Sequence, residues 1–283
     1  MNNFWSEHVQ GVMTLYLSRR LRFHDRFMAQ YRRLFRLDEN AEIKILEIGC
    51  GPGALAEALR GWYPRAQITA IDRDSRFIAF AKENIPGIAF TEGDATRLPF
   101  ADESFDVTIS NTVQEHIEPT AFWGEQLRVL KPGGICLCLS ARKGIQCTAP
   151  CLEETAEEKA FWGSIQQADD ALKKNGVGRY RLSEAALPAS MEQSGFTDVS
   201  TGYVLADLTP DAPDCPPQMA EAMIEAMRQN DLEALQSMHS SRAQKAIDAV
   251  NARYARRVQL YREGIRQWDT SVSVTMIVRG RKP

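Results

Sequence analysis

Three alternating glycines, Gly49, Gly51 and Gly53, follow the apolar run at residues 45–48 and precede a helix-forming segment. Glycine permits positive φ and lets a ligand approach the backbone with no Cβ in the way. In open α/β sheets, ligands bind beyond the carboxyl ends of the strands, and this loop falls at such an end. The loop is therefore the first candidate for a ligand-binding site.

Two carboxylates follow the next two strand-like runs. Asp72 ends the run Thr69-Ala70-Ile71-Asp72, and Asp94 follows Gly93. A carboxylate in the first place can accept hydrogen bonds from two ribose hydroxyls, and one in the second can accept a hydrogen bond from an adenine amino group. Adenosyl ligands are therefore favoured.

Two ligand classes contain an adenosine. A dinucleotide fingerprint, G-x-G-x-x-G/A, is met loosely by Gly49, Gly51 and Ala54, with an acidic residue, Asp72, about 20 residues further on. S-adenosylmethionine is the alternative, since it places no phosphate at the loop and needs only close backbone approach. The residues alone leave both open.

The elements that must position these residues alternate between residues 43 and 140. Apolar runs of strand length (KILEI, QITAID, IAFTE, FDVTISN and ICLCLSA) are separated by segments of helical character, and KPGG is a predicted turn. This alternation predicts parallel βαβ units in a doubly wound sheet. A sixth and a seventh strand are predicted at FTDVSTGYV and SVSVTMIVRG.

The motifs ILEIGCGPG, AID, EGDATRLPF, SFDVTISN and RVLKPGG occur in this order and at this spacing. In these motifs the chain resembles the class I S-adenosylmethionine-dependent methyltransferases, in particular the small-molecule branch that includes quinone-biosynthesis enzymes. The resemblance is strong over residues 43–140. It implies a Rossmann-like sheet of seven strands, parallel with an antiparallel last strand, and S-adenosyl-L-methionine as cofactor, with S-adenosyl-L-homocysteine as product.

The resemblance also implies roles for individual residues. The methionine and ribose side is lined by Glu47, Gly49, Cys50, Gly51 and Gly53; Asp72 pairs with the ribose and Arg73 covers the adenine; Asp94 and Ala95 contact the adenine; and Asn111 approaches the methionine amine and the methyl group.

The segment after the fourth strand holds the candidate for catalysis. His116 is the predicted general base, because imidazole titrates near neutrality; a role in merely shaping the pocket is the alternative. A carboxylate acceptor would need no base, whereas an alcohol or a phenol would. Residues 111–114 read Asn-Thr-Val-Gln, without the Asn/Asp-Pro-Pro-Tyr/Phe motif of enzymes that methylate exocyclic amines and glutamine amides. Those acceptors are therefore disfavoured, and oxygen is the predicted acceptor atom ahead of nitrogen and carbon, which stay open.

The flanking segments predict a lid and a cap. Residues 1–40 form the predicted lid, with one helix over 4–36 from which Tyr16, Arg20 and Tyr31 could reach a carboxylate of cofactor or acceptor; a helix that packs on the core with its arginines in solvent is the alternative. Residues 41–203 and 271–283 form the predicted cofactor-binding core.

Residues 204–270 form a predicted helical cap for the acceptor, which begins with a Pro-rich linker. Its four methionines predict either the core of the cap or an adaptable binding face: Met219, Met223, Met227 and Met238. Seven basic residues predict either a solvated face or a basic wall that recruits an anionic acceptor: Arg242, Lys245, Arg253, Arg256, Arg257, Arg262 and Arg266.

Composition limits the classes of partner. The chain has 283 residues, is 44% hydrophobic and carries a formal net charge of −3. Without a global basic field, neither nucleic acid nor a membrane is a predicted partner. The six cysteines lack metal-site and disulfide-framework spacing, which predicts no metal and a reducing, cytoplasmic location. The predicted partner is a small-molecule or peptide acceptor, and a homodimer is possible.

Three functional hypotheses follow. The first is an S-adenosylmethionine-dependent methyltransferase that acts on a small-molecule or peptide natural product, at oxygen and possibly at a carboxylate. The second is a nicotinamide-dinucleotide-dependent oxidoreductase. The third is a non-catalytic module that binds S-adenosylmethionine.

Overall fold

The computed structural model describes residues 3–156, 158–159, 176–236 and 241–283. The chain divides into two compact units. The first comprises the described residues of Met1–Arg142, Asn175–Leu205 and Val274–Pro283, and the second those of Lys143–Lys174 and Ala206–Ser273. The second unit thus includes the described residues between 143 and 174, which lie within the range 41–203 predicted as core.

Seven strands form one sheet in the order β3-β2-β1-β4-β5-β7-β6. The strands are β1 (Lys44–Ile48), β2 (Gln67–Asp72), β3 (Ala89–Glu92), β4 (Phe105–Asn111), β5 (Leu130–Cys147), β6 (Thr197–Asp207) and β7 (Thr270–Arg281). The first five pair in parallel, so that their carboxyl ends meet at one edge. The strand order reverses beside β1, which is where doubly wound sheets bind ligands.

The last strand runs against its neighbours. The amide of Gly133 donates to the carbonyl of Lys282, and the amide of Lys282 donates to the carbonyl of Gly134, which is the antiparallel exchange of two hydrogen bonds. On the other side, Leu208 donates to Ser271. The predicted fold class, a Rossmann-like sheet that is parallel except at its end, is confirmed.

Nine helices lie in the described ranges: α1 (Phe4–His8), α2 (Val12–Arg22), α3 (Met28–Phe35), α4 (Ala54–Trp62), α5 (Ser75–Asn84), α6 (Pro119–Val129), α7 (Ala186–Gln193), α8 (Pro217–Gln236) and α9 (Ser241–Arg262). None of these helices combines the length and the apolar character needed to cross a bilayer.

The prediction of one helix over residues 4–36 is wrong. Gly11 has extended backbone angles and begins α2, so the chain breaks after α1. The imidazole Nδ1 of His24 accepts a hydrogen bond from the amide of Arg26 and caps a 3₁₀ turn at Asp25–Phe27 before α3.

The central strands are buried because helices cover both faces of a parallel sheet. Ile45, Leu46 and Ile48 of β1 are at most 1% exposed. Glu47, in the same strand, is equally buried although it carries a carboxyl group. A charged group in such a strand calls for a functional explanation.

The second unit has its own apolar core. Tyr254, Val250 and Leu232 belong to one buried cluster there, and Met227 packs against it. Met219 and Met223 are buried as well. The methionines therefore pack inside the protein instead of forming an open apolar surface; Met238 lies outside the described residues.

The candidate basic wall of the second unit is wrong for Arg253 and Arg257. Arg257 is fully buried and pairs with Asp211 at 2.9 Å and with Asp269. Arg253 pairs with Glu158 at 2.7 Å and with Asp231 at 2.9 Å. Both guanidinium groups are thus neutralised by internal carboxylates. Four other members of the wall are exposed, and for them the wall stays a prediction: Lys245, Arg256, Arg262 and Arg266. The side chain of Arg242 lies outside the described part of the chain. Asp211 is itself buried, so the Pro-rich segment that contains it is fixed structure and not a free linker.

Candidate active site

A cavity of about 310 Å³ opens at the carboxyl ends of β1, β2 and β4 in the first unit. Ten of the eleven residues that the sequence predicted for the site line it: Glu47, Gly49, Cys50, Gly51, Asp72, Arg73, Asp94, Ala95, Asn111 and His116. Gly53 does not. It begins α4 with a φ of +90°, and an added Cβ would lie 2.8 Å from Ile85 Cδ1. Glycine is required at position 53 because a larger residue would collide with the side chains packed beneath the loop.

The backbone of the glycine loop faces the cavity. Gly49 and Gly51 have φ angles of +68° and +55°, which L side chains rarely adopt. A Cβ on Gly49 would lie 2.3 Å from the Val113 side chain, whereas one on Gly51 would meet only the tip of Leu15 at 3.3 Å. Gly49 is therefore required by both conformation and space, and Gly51 chiefly by conformation.

Asp72 is fixed by the backbone around it. Its Oδ2 accepts a hydrogen bond from the amide of Gly51 at 2.8 Å, and its Oδ1 accepts one from the amide of Asp74 at 2.9 Å. Burial raises the pKa of Asp72, and the two amides oppose that rise by stabilising the ionised form. The carboxylate is thus held at the cavity wall in one orientation.

Glu47 is 1% exposed, and within the described structure its Oε2 has no hydrogen-bond partner. Burial, and next the charge of Asp72, raise the pKa of Glu47 well above its ordinary value, while the amide of Ala56 opposes the rise. A buried carboxyl oxygen without a partner is costly. Because Glu47 lines the cavity, a ligand that carries a hydrogen-bond donor or a positive charge could satisfy this oxygen.

Asp94 lies on the β3 side of the cavity. Its Oδ1 accepts hydrogen bonds from the amide and the hydroxyl of Thr96, both at 2.8 Å. The carboxylate therefore caps its own turn and lines the cavity at the same time.

Helix α1 contributes a cavity-lining residue, Trp5, that was not singled out within the lid predicted over residues 1–40. Trp5 lines the cavity and meets the ring of His116 edge-on, with ring centroids 4.6 Å apart. The helix is fastened to the loop after β2, because the amide and the hydroxyl of Ser6 donate to the Asp74 carboxylate at 2.9 and 3.0 Å. Asp74 also caps α5 by accepting from Arg76. Helix α1 is thus tied to the segment that carries Asp72.

The carboxylate-binding side chains predicted on the N-terminal helices are wrong. Tyr16 donates to Glu57 at 2.9 Å, and Arg20 lies 3.7 Å from the same carboxylate. Tyr31 is buried and donates to the carbonyl of Arg22. None of the three predicted residues is among those lining the cavity.

Arg19, which sequence analysis did not select, lines the cavity instead. Its Nη2 donates to Thr112 Oγ1 at 3.0 Å, and Thr112 Oγ1 donates in turn to the carbonyl of Asn111 at 2.7 Å. Burial, and next the charge of Arg22, lower the pKa of Arg19 to about 9, so that it stays protonated at neutral pH. Thr112 has a φ of +56°, a strained angle for a residue other than glycine.

The His116 ring is held by a backbone amide. Its Nδ1 accepts a hydrogen bond from the amide of Gly178 at 2.9 Å, so the neutral ring carries its proton on Nε2. Burial, with the charges of Arg73 and Arg181, lowers the pKa of His116 to about 4. This arrangement occupies the lone pair that a general base would use and favours the pocket-shaping alternative; the catalytic role stays a prediction.

Comparison with known proteins gives a family for part of the chain. Residues 46–138 match the family model described as a methyltransferase domain. A fatty-acid O-methyltransferase of Mycolicibacterium smegmatis is 40% identical over 103 residues, which are 35% of this chain and 37% of that protein. A probable phthiotriol/phenolphthiotriol dimycocerosates methyltransferase 2 of Mycobacterium ulcerans is 41% identical over 122 residues, 42% of this chain and 44% of that protein. The chain thus spans less than half the length of these relatives.

A solved structure resembles a larger part of the chain. Phosphoethanolamine N-methyltransferase 2 of Haemonchus contortus, in complex with S-adenosyl-L-methionine, aligns with a TM-score of 0.55 at 17% identity and covers 99% of this chain and 60% of that one. At this identity the likeness concerns the fold alone.

Proposed function

We propose that this chain, whose residues 46–138 form a class I S-adenosylmethionine-dependent methyltransferase domain, transfers a methyl group to an oxygen atom of a small-molecule acceptor. S-adenosyl-L-methionine is the cofactor of this domain. It supplies an electrophilic methyl group on a sulfonium, so that the protein has to bind, orient and shield the reactants.

The observation that carries the proposal is the acidic wall of the cavity. Glu47 and Asp72 both line it, and one oxygen of Glu47 has no partner within the described structure. Two neighbouring carboxylates favour a ligand that carries positive charge, as a sulfonium and an ammonium do, and repel a diphosphate. The two carboxylates therefore argue against the hypothesis that this glycine loop binds a nicotinamide dinucleotide.

The remaining residues fit an adenosyl ligand. The bare backbone at Gly49 and Gly51 allows close approach, and Asp72 presents a fixed acceptor for ribose hydroxyls. Asp94 and Ala95 lie on the β3 side, where we place the adenine, and Asn111 lies at the end of β4, where we place the methionine end. Within this proposal, Trp5 and α1 exclude water from the bound cofactor.

One of the relatives supports oxygen as the acceptor atom. The name of the M. smegmatis relative specifies O-methylation of fatty acids, and a fatty acid offers a carboxylate that needs no base. The hydrogen bond from the amide of Gly178 to His116 Nδ1 occupies the lone pair of the neutral ring and fits such an acceptor. We therefore propose acids among the acceptors and use decanoate as the first test compound.

The test measures binding and transfer separately. Calorimetric titration of the full chain with S-adenosylmethionine, S-adenosylhomocysteine and NADH should show binding of the first two only. Asp72→Ala should weaken S-adenosylhomocysteine binding by roughly 1–3 kcal/mol, the cost of a lost charged hydrogen bond. Asp102→Ala, which removes an exposed carboxylate that pairs with Arg128, is the matched control.

Transfer is followed with methyl-labelled cofactor, decanoate, decanol and a phenol, and the products are identified by mass. NADH binding would overturn the cofactor assignment. Cofactor binding without transfer to any acceptor would favour the non-catalytic module. A homodimer, a cytoplasmic location and a role of the second unit in acceptor binding stay predictions.

A further inference from the structure

Arg19 and Arg20 of α2 have different surroundings. Arg20 lies beside Glu57 and does not line the cavity. Arg19 lines the cavity, and in the part of the chain that the structure describes its guanidinium forms no direct ion pair with a carboxylate; its hydrogen bond goes to the Thr112 hydroxyl. The charge of Glu115 acts on Arg19, but that carboxylate lies beside His116 and Arg181. A partly buried guanidinium without a direct ion pair is costly, and a bound anion would reduce that cost.

The side chain is also held in place. Thr112 follows directly on β4, has a left-handed backbone conformation and donates an amide hydrogen bond to Leu139 of β5. Its hydroxyl bridges the Arg19 guanidinium and the carbonyl of Asn111. Strain of this kind persists where the surroundings over-determine it, and it recurs at ligand clamps. The bridge ties the cation on α2 to the end of the strand where the proposed transfer takes place.

The titratable groups around Arg19 already have partners. The Nδ1 of His116 accepts from the amide of Gly178, and Glu115 lies 3.7 Å from His116 Nε2 and 3.6 Å from Arg181 Nη2. Glu118 caps α6 by accepting from the amide of Ala121, and that hydrogen bond lowers its pKa. A hydroxyl acceptor would need one of these groups to leave its partner and take the proton. An acceptor that arrives already ionised has no proton to lose.

We propose that Arg19, positioned by Thr112, binds the carboxylate of the methyl acceptor, and that the enzyme is an acid-specific O-methyltransferase. This inference rests on the proposed function and narrows it to one acceptor chemistry. A guanidinium matches a carboxylate with two parallel hydrogen bonds. Arg19 already donates one hydrogen bond to Thr112 and has further N–H groups to offer.

The step needs no proton transfer. A lone pair of the carboxylate oxygen forms the new O–CH₃ bond, the S–CH₃ bond breaks, and its electron pair stays on sulfur. The anion and the sulfonium thereby become a neutral ester and a neutral thioether. Arg19 thus attracts the charged substrate and has no ionic attraction for the uncharged product.

The same charge loss predicts a kinetic signature. Negative charge on the carboxylate is already falling in the transition state, so Arg19 stabilises the bound substrate at least as much as the transition state. Losing such an interaction raises KM and leaves kcat nearly unchanged. A mutation that only damaged the fold would lower kcat or the amount of active protein instead.

The test compares Arg19→Met and Arg19→Lys with Arg20→Met, a matched control at the neighbouring position outside the cavity. With decanoate, Arg19→Met should raise KM by about tenfold or more, as expected for a lost charge-assisted hydrogen bond, and Arg19→Lys should raise it less. The kcat of both variants and their affinity for S-adenosylhomocysteine should stay near those of the wild type. Arg20→Met should leave all three quantities unchanged.

Two results would overturn the inference while the proposed function stands. In one, Arg19→Met loses affinity for S-adenosylhomocysteine but not for 5′-methylthioadenosine, which lacks the amino-acid end; Arg19 would then bind the cofactor's carboxylate. In the other, wild-type protein loaded with S-adenosylhomocysteine binds decanol as tightly as decanoate, a comparison that does not depend on any variant folding. Failure of the wild type to bind S-adenosylmethionine would instead refute the proposed function itself.

Discussion

Replacing Glu47 by Gln should remove a proton that is coupled to cofactor binding. In the empty site, burial and the charge of Asp72 raise the pKa of Glu47 well above its ordinary value. The groups that face it are Asp72, the Cys50 thiol and the amide of Ala56, and its strand neighbours Ala70 and Ile109 carry no charge. A cation bound in the cavity lowers that pKa by stabilising the carboxylate.

The cofactor-free protein binds this proton more tightly than the complex does. Lower pH therefore favours the cofactor-free state, and S-adenosylmethionine binds more weakly at low pH. Between the lowered pKa of the bound state and the raised pKa of the empty state, affinity should rise about tenfold per pH unit, or about 1.36 kcal/mol. Above the raised pKa it should level off. Glu47→Gln should flatten most of this slope, and what remains belongs to Asp72, whose pKa is also raised.

Calorimetric titration from pH 5 to pH 8, in buffers of different ionisation enthalpy, measures the protons released on binding. Glu83→Gln, the same substitution at an exposed position of α5, is the control and should behave like the wild type. Wild-type affinity that is independent of pH over this range would refute the reasoning. So would an equal slope in Glu47→Gln, since the proton would then come from another group.

Three further predictions concern the loop, the histidine and the second unit. Gly51→Ala should fold, at a cost of about 1–2 kcal/mol for a side chain at positive φ, and lose cofactor binding; Gly49→Ala should unfold at lower denaturant because its Cβ meets Val113. His116→Gln should slow transfer by less than the roughly 10²–10⁴-fold expected for a lost general base. The pH profile of kcat should show no inflection near 6.5, since the pKa of His116 is about 4. A roughly 10²–10⁴-fold loss of rate in His116→Gln would instead restore His116 as the general base. Arg257→Met should destabilise the chain by about 3–5 kcal/mol in chemical unfolding, because two buried carboxylates lose their cation, whereas the same change at the exposed Arg256 should have little effect.

The sheet and the glycine loop could be predicted because their signals are local. Each strand between residues 44 and 111 is a short apolar run bounded by turn residues, and the loop's glycines are required by backbone angles that few other residues adopt. Gly53 shows the limit of this reasoning. Its spacing matches the ligand-facing glycines, but packing against Ile85 decides its role, and that contact joins distant parts of the chain.

The contacts that decide the chemistry of the site are long-range. The hydrogen bond to His116 comes from Gly178, 62 residues away in the chain, and the hydroxyl that holds Arg19 is 93 residues away. Arg19 and Arg20 are neighbours on one helix, and only the packing of that helix decides which of them lines the cavity, so the sequence could not tell them apart. Arg257 was missed as a core residue because its partner Asp211 lies in a Pro-rich stretch that has the composition of a linker.

The charges of Glu47, Asp72 and Arg19 are placed apart in the cavity. Glu47 and Asp72 lie at the ends of β1 and β2, and Arg19 contacts Thr112 just after β4. The sulfonium of a methyl donor beside the first two and the carboxylate of an acceptor beside Arg19 would each meet the opposite charge; Arg73 and Glu118 also line the cavity. Such preorganised polarity places the two reactants before the reaction begins, which is the largest contribution a protein can make when the leaving group is already activated. Reversing either end, with Glu47→Lys or Arg19→Glu, should therefore impair a different substrate in each case, the cofactor in the first and the acid in the second.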